Sequence, residues 1–267
     1  MIDAHAHVGD PGFDHDRDEV LARAAAAGLR GIVCVGQDTE TSLRALEVKK
    51  RGLNTNHITD NNTADKLQFV ATAGLHPHEA KRSPDELPRL EQLLRTGDFA
   101  AVGETGLDFY YDYSPREIQR ESFRWHLQIA KELLLPVVVH VRDAHAEAVE
   151  DIQSAGGGVV TMIHCFTGNA TNARNYLDLG SYISFSGILT FKTAGEIRDA
   201  ARMIPADRIL VETDCPFLAP IPFRGKRCEP SFVVHTLQFL AEVRGDLKST
   251  IDDATTENAL RVFWGQV

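Results

Sequence analysis

Short runs of apolar, β-branched residues alternate with amphipathic stretches along the whole chain. The strand-like runs fall at residues 2–7, 31–36, 69–74, 100–104, 137–140, 159–164, 182–186 and 209–214. Helix-like periodicity occupies 16–27, 39–51, 83–95, 114–134, 144–154, 170–179 and 194–203, with closing helices at 231–243 and 256–263. Local punctuation fits these bounds. Gly28 ends the first helical stretch, Gly52 is placed as the C′ residue of the second, and Ser114-Pro115-Arg116-Glu117 reads as an N-terminal signature for the longest. Strands alternating with helices without a linker predict a parallel sheet with right-handed crossovers. Eight such units predict one α/β domain spanning residues 1–267, a (β/α)8 TIM barrel, for which about 250 residues is usual. An open doubly wound sheet is the structural alternative, but its Gly-rich phosphate fingerprint is missing after the first strand.

The polar residues that close these runs supply the chemistry. Successive side chains of a strand point to opposite faces, so His5 and His7 project from one side, close enough to share a metal ion. Glu104, His140, His164 and Asp214 each close or directly follow another apolar run. In a barrel these strand ends converge on a single mouth. His5, His7 and Asp214 come from the first and eighth strands, which adjoin when the barrel closes, and are expected to hold one divalent ion. His140 and His164 come from adjacent strands and are expected to hold a second, with Glu104 bridging. Imidazole and carboxylate donors suit Zn, Mn or Mg. Two ions about 3.5–4 Å apart can activate water and stabilise a leaving oxygen, and Asp214 can accept the proton of the attacking water. Each residue alone reads as a hydrogen-bonded or capping group at a strand end. Together they read as a metal-dependent hydrolase, because a barrel interior disfavours so many uncompensated polar groups.

Composition adds exclusions. The net charge of −10 argues against a protein that coats nucleic acid through a global basic surface, but not against one that grips a phosphodiester locally. No apolar run approaches the roughly 20 residues that span a bilayer. Asp3, His5 and His7 interrupt any signal-like start. The four cysteines, Cys34, Cys165, Cys215 and Cys228, show no close pairing or zinc spacing. A reduced, cytoplasmic protein with no membrane association is the expectation, and no protein partner is implied. The polar stretch at residues 54–63 is expected as an exposed connection on the non-catalytic face, with no role for His57.

Several motifs carry a resemblance: Ile2-Asp3-Ala4-His5-Ala6-His7, Gly74-Leu75-His76-Pro77-His78, Gly103-Glu104-Thr105-Gly106-Leu107-Asp108, His164-Cys165-Phe166-Thr167-Gly168, Glu212-Thr213-Asp214-Cys215-Pro216 and Arg224-Gly225-Lys226-Arg227. With Pro136–Arg142 and Thr256-Glu257-Asn258, they make the chain resemble the TatD-type metal-dependent deoxyribonucleases of the amidohydrolase superfamily, from its first strand to its last helix. The resemblance implies hydrolysis of DNA phosphodiesters, often from the 3′ end, with the same six ligands. It also implies that His76 contacts substrate phosphate. Arg142, on the same rim, could grip phosphate through its bidentate fork, and Asp108 could orient a ligand histidine. Arg224 and Lys226, on a proline-stiffened loop after the last strand, are expected to neutralise phosphates. Cys228 stands where the family usually has Asn, and the polar stretch before the third strand is longer than expected. The alternatives are a small-molecule amidohydrolase acting on a C–N or ester bond, and a non-catalytic scaffold. The latter is disfavoured because every ligand position holds a competent residue. His15, His78, His126, His145 and His235 are expected to have no catalytic role.

Overall fold

A computed structural model describes residues 1–55 and 67–265 of the chain. Eight parallel strands pair in chain order: β1 (Ile2–Ala6), β2 (Gly31–Cys34), β3 (Gln68–Ala73), β4 (Ala101–Asp108), β5 (Val137–Arg142), β6 (Thr161–Ile163), β7 (Tyr182–Phe185) and β8 (Ile209–Val211). Between and after them lie α1 (Arg17–Ala26), α2 (Thr39–Thr55), α3 (Ser83–Leu94), α4 (Arg116–Leu133), α5 (His145–Ser154), α6 (Ala170–Asp178), α7 (Gly195–Met203), α8 (Val233–Arg244) and α9 (Lys248–Phe263). The ring closes through the segment that follows β8, where Asp214 N donates to His5 O at 3.0 Å and His7 N to Cys215 O at 2.9 Å. The TIM-barrel expectation holds.

The strands are buried on both faces, which is why they read as unbroken apolar runs. Ile2, Ala4, Val33, Val70, Ala101, Val138, Met162 and Leu210 fill the lumen, joined by Val262 and Phe263 of α9. Ile32, Cys34, Ala71, Val102, Val139, Ile183 and Val211 belong to the outer layer under the helices.

Two irregularities decide what faces the mouth. From Asp3 to Ala6, β1 uses three steps where β2 uses two, from Ile32 to Cys34. From Val102 to Thr105, β4 likewise uses three steps against two in β5, from Val137 to Val139. Each extra residue switches the alternation. Below the bulges Ala4 and Ala101 face the lumen; above them His5, His7 and Glu104 do.

Several element bounds differ from the sequence reading. Helix α2 runs through Gly52 to Thr55, so Gly52 is not a terminator. It is there because a Cβ would come within 2.2 Å of the Phe69 ring. Ser114 does not cap α4; its hydroxyl donates to His78 O and accepts from Lys81 N, pinning the turn Pro77–Arg82. Helix α9 begins at Lys248, eight residues before the predicted start, because Ile251 and Thr255 are buried against the barrel and packing overrides weak propensity. Strand β4 continues past Glu104 to Asp108. The polar stretch at 54–63 lies outside the described residues from position 56 onward, His57 included. Among the described residues, no helix is long and apolar enough to cross a membrane.

Candidate metal centre

Glu104 lies at the centre of the mouth, its side chain almost fully buried. One oxygen, Oε2, is 3.5 Å from the Nε2 atoms of both His5 and His7, and it accepts from Gln37 Nε2 at 3.2 Å. The other, Oε1, is 2.9 Å from His140 Nδ1 and from His164 Nε2, and 3.4 Å from His76 Nε2. Asp214 Oδ1 closes the first side, 3.4 Å from His7 Nε2 and 3.7 Å from His5 Nε2. The ligand atoms of His5, His7 and Asp214 lie within 4.8 Å of one another, as do those of His5, Glu104 and His164, and of His76, Glu104 and His140. All six expected ligands are therefore brought together. His164 is shared across the site, its ring stacked on that of His5 at 4.0 Å, so the division into two fixed pairs of strands is too simple.

The hydrogen bonds behind the rings set their polarity. His7 Nδ1 donates to Val35 O at 3.3 Å, His140 Nε2 to Asp108 Oδ2 at 3.3 Å and His164 Nδ1 to Glu212 Oε1 at 3.3 Å. A neutral imidazole that donates outward turns its lone pair inward, the tautomer a metal ligand needs. Unshielded nitrogens then meet nose to nose, His5 Nε2 with His7 Nε2 and His140 Nδ1 with His164 Nε2, both at 3.1 Å. Only a proton or a cation reconciles such contacts in a buried site, and these donors fit a divalent ion. His76 has the opposite polarity. Its Nδ1 accepts from His78 N at 3.2 Å, which leaves Nε2 as the N–H that faces Glu104 Oε1. His76 therefore presents a donor N–H to the cluster, where the histidines above present lone pairs.

The charges of the cluster bias one another's protonation. Burial opposes protonation of His164, but the carboxylates of Glu104 and Glu212 outweigh it and hold its pKa well above the ordinary imidazole value. Burial would likewise raise Glu104, yet the surrounding rings of His164, His76 and His140 keep it well below the usual carboxylate range. His76, dominated by burial, falls to about 4.

Three participants escaped the sequence reading. Glu212, two residues before Asp214 and of the same strand parity, accepts from His164 and from Cys165 N at 2.8 Å. Gln37 follows the second apolar run just as His140 and His164 close theirs, but an amide in that place carries no metal-ligand signal. His78, expected to have no catalytic role, donates its Nε2–H to Asp108 Oδ2 at 2.8 Å and lines the cavity. The turn Pro77–Arg82 folds it back over the mouth. Asp108, expected to orient a ligand histidine, has its Oδ2 3.3 Å from His140 Nε2. His15 and His235 are not among the clustered donor groups, His126 is a buried residue of α4 and His145 meets the Tyr176 hydroxyl.

A cavity of about 630 Å³ opens above the cluster, lined by His7, His76, Glu104, Asp214, Tyr111 and Arg142 among others. A second, of about 410 Å³, adjoins it and shares Arg142 and Asp214. Arg224 and Lys226 line neither. The guanidinium of Arg224 lies 3.7 Å over the Phe191 ring and Lys226 Nζ 5.5 Å over Phe223. Two anchors hold their loop to the side, Phe223 stacked on Phe232 at 4.2 Å and Arg227 paired with Asp16.

Eight parallel strands around a buried imidazole–carboxylate cluster at their C-terminal ends define a barrel hydrolase of the metal-dependent kind. Comparison with known proteins narrows the class, since residues 2–264 match the family model described as TatD related DNase. The uncharacterized metal-dependent hydrolase YabD of Bacillus subtilis is 39% identical over 98% of both chains. A protein of Cronobacter sakazakii named 3′-5′ ssDNA/RNA exonuclease TatD is 36% identical over 98% of this chain and 97% of its own. The crystal structure of YJJV, a TatD homologue from Escherichia coli, superposes with a TM-score of 0.87 at 28% identity, covering 98% and 97% of the two chains. The chain belongs to the TatD family.

Proposed function

We propose that this protein is a deoxyribonuclease that hydrolyses phosphodiester bonds of DNA from the 3′ end, using two divalent ions of the Zn, Mn or Mg type. The carrying observation is the division of Glu104, whose two oxygens face separate sets of inward-turned imidazoles. His5, His7 and Asp214 would hold one ion, His140 and His164 the other, with Glu104 between. Divalent ions held there supply positive charge that acidifies water and stabilises charge on a phosphoryl group. Asp214, partly open to the cavity, is placed to take the proton of the attacking water. His76 Nε2–H and the Arg142 guanidinium are the donors placed for phosphate oxygens. Support for DNA as substrate comes from the exonuclease-named relatives. The amidohydrolase alternative gains nothing from the site. Many such enzymes bridge their ions with a carboxylated lysine, and among the described residues no lysine lines either cavity.

The test is a purified-protein assay on end-labelled single- and double-stranded DNA and on a panel of amides and lactones, with and without chelator. The expected outcome is chelator-sensitive shortening of DNA from the 3′ end. Hydrolysis of an amide or lactone with DNA untouched would overturn the proposal.

A further inference from the structure

We infer that Tyr110 and Tyr111, clamped by Arg142 beside a cavity that Phe217 also lines, form a stacking site for the unpaired nucleobases beside the phosphate being cut. The inference rests on the nuclease reading above and names the side chains that would hold the bases. Among the described residues, the exposed large aromatic side chains are Tyr110, Tyr111, Tyr113 and Phe217, each between 44% and 59% exposed. All four sit on loops at the mouth; none is elsewhere on the surface. Such rings normally seek cover, and concentrating them around one opening marks a binding surface.

Their arrangement is built. The Arg142 guanidinium lies 4.0 Å over the Tyr110 ring and 4.8 Å over that of Tyr111. Tyr111 stacks on Tyr113 at 5.3 Å and 22°. Asp108 Oδ1 accepts the backbone N–H groups of Tyr110 and Tyr111 at 3.0 and 2.9 Å, while Oδ2 of the same carboxylate meets His140. One side chain therefore fixes the platform in register with the metal donors. Tyr111, Arg142 and Phe217 line the cavity that holds Glu104 and Asp214, and the Phe217 ring stands 6.2 Å from that of His7. The occupant must be flat, π-faced and tethered to a phosphate, which describes a nucleobase. Aromatic stacking tolerates any base. In a duplex those faces are already stacked on their neighbours, so the platform selects single-stranded ends.

The test compares an oligonucleotide carrying bases throughout with one of equal length whose two 3′-terminal residues are abasic. The wild-type protein should cut the base-bearing strand at least about 10-fold faster, as expected for loss of a base–aromatic stack. In Tyr110→Ala/Tyr111→Ala that ratio should collapse towards one, whereas Tyr110→Phe/Tyr111→Phe should keep it. Binding gives a second readout: 2-aminopurine at the 3′ terminus should be quenched on mixing with Asp214→Asn protein, and not when the two alanines are added. Equal wild-type rates on both strands, or a ratio that survives the double alanine variant, would overturn the stacking site and leave the nuclease reading standing. Failure of the wild type to cut either strand would remove that reading, and the inference with it.

Discussion

Glu104 carries two sets of donors on two oxygens only 1–2% exposed, so losing one negative charge there affects both sides at once. Glu104→Gln should bind markedly less divalent metal, by elemental analysis of the dialysed protein, and lose hydrolysis, while circular dichroism reports an intact barrel. His126 offers a prediction independent of metal. Its Nε2 accepts from Leu75 N at 3.0 Å and its Nδ1 donates to Ser122 O at 2.7 Å, so both nitrogens are satisfied only in the neutral ring. Burial depresses its pKa from 6.5 to about 4. The folded state therefore disfavours the proton, and the stability this residue contributes is complete above pH 6.5 and lost as pH falls towards 4. The loss is of order 3 kcal/mol. Urea midpoints measured from pH 7 to pH 4 should fall more steeply in the wild type than in His126→Gln; parallel curves would refute this. The same scale shows what a sequence reveals. His5, His7, His140, His164 and Asp214 were legible because each interrupts or closes an apolar run with a group that burial cannot tolerate alone. His76, by contrast, is distinguished from a ligand only by its tautomer, and that depends on a backbone N–H two residues away.

Among elements, the alternation of strands and helices was legible because hydrophobic period and punctuation agreed along the chain. The two bulges were not. Nothing in Asp3–Ala6 or Val102–Thr105 announces an extra residue except glycine, and Gly103 follows from geometry: a Cβ there would meet Val138 O at 2.5 Å, with φ at +126°. Gly106 is tighter, with φ at +140° and a Cβ position 2.0 Å from His140 O. Gly106→Ala should cost ~2 kcal/mol or more and lower metal affinity by pushing β5 and His140 aside. Gly97→Ala, at positive φ but with no atom within 4 Å, serves as the control. Thermal melts with and without divalent metal separate the two. Helix bounds failed where packing overrode local signals, at Gly52 under Phe69 and at the early start of α9.

For the whole molecule, a net charge of −10 repels a polyanion, so cations near the mouth must act locally. Arg142 lines both cavities, whereas Arg224 and Lys226 lie outside them, and their effect belongs to strands long enough to leave the mouth. Arg224→Ala/Lys226→Ala should raise KM for DNA of about 20 nucleotides and flatten its salt dependence, since fewer counterions are released. A dinucleotide should be cut as before. An unchanged salt slope on the long strand would show that the loop serves only the fold.

The ring is fastened by backbone bonds at His5, His7 and Asp214, the residues whose side chains form one of the candidate metal-holding groups, and Asp3 reaches Thr213 across 210 positions of chain. Until the eighth strand exists, one edge of β1 is bare and His5 and His7 lack Asp214. A ribosome must therefore deliver four-fifths of the polypeptide before this catalyst can be armed, and any fragment released earlier would be chemically silent.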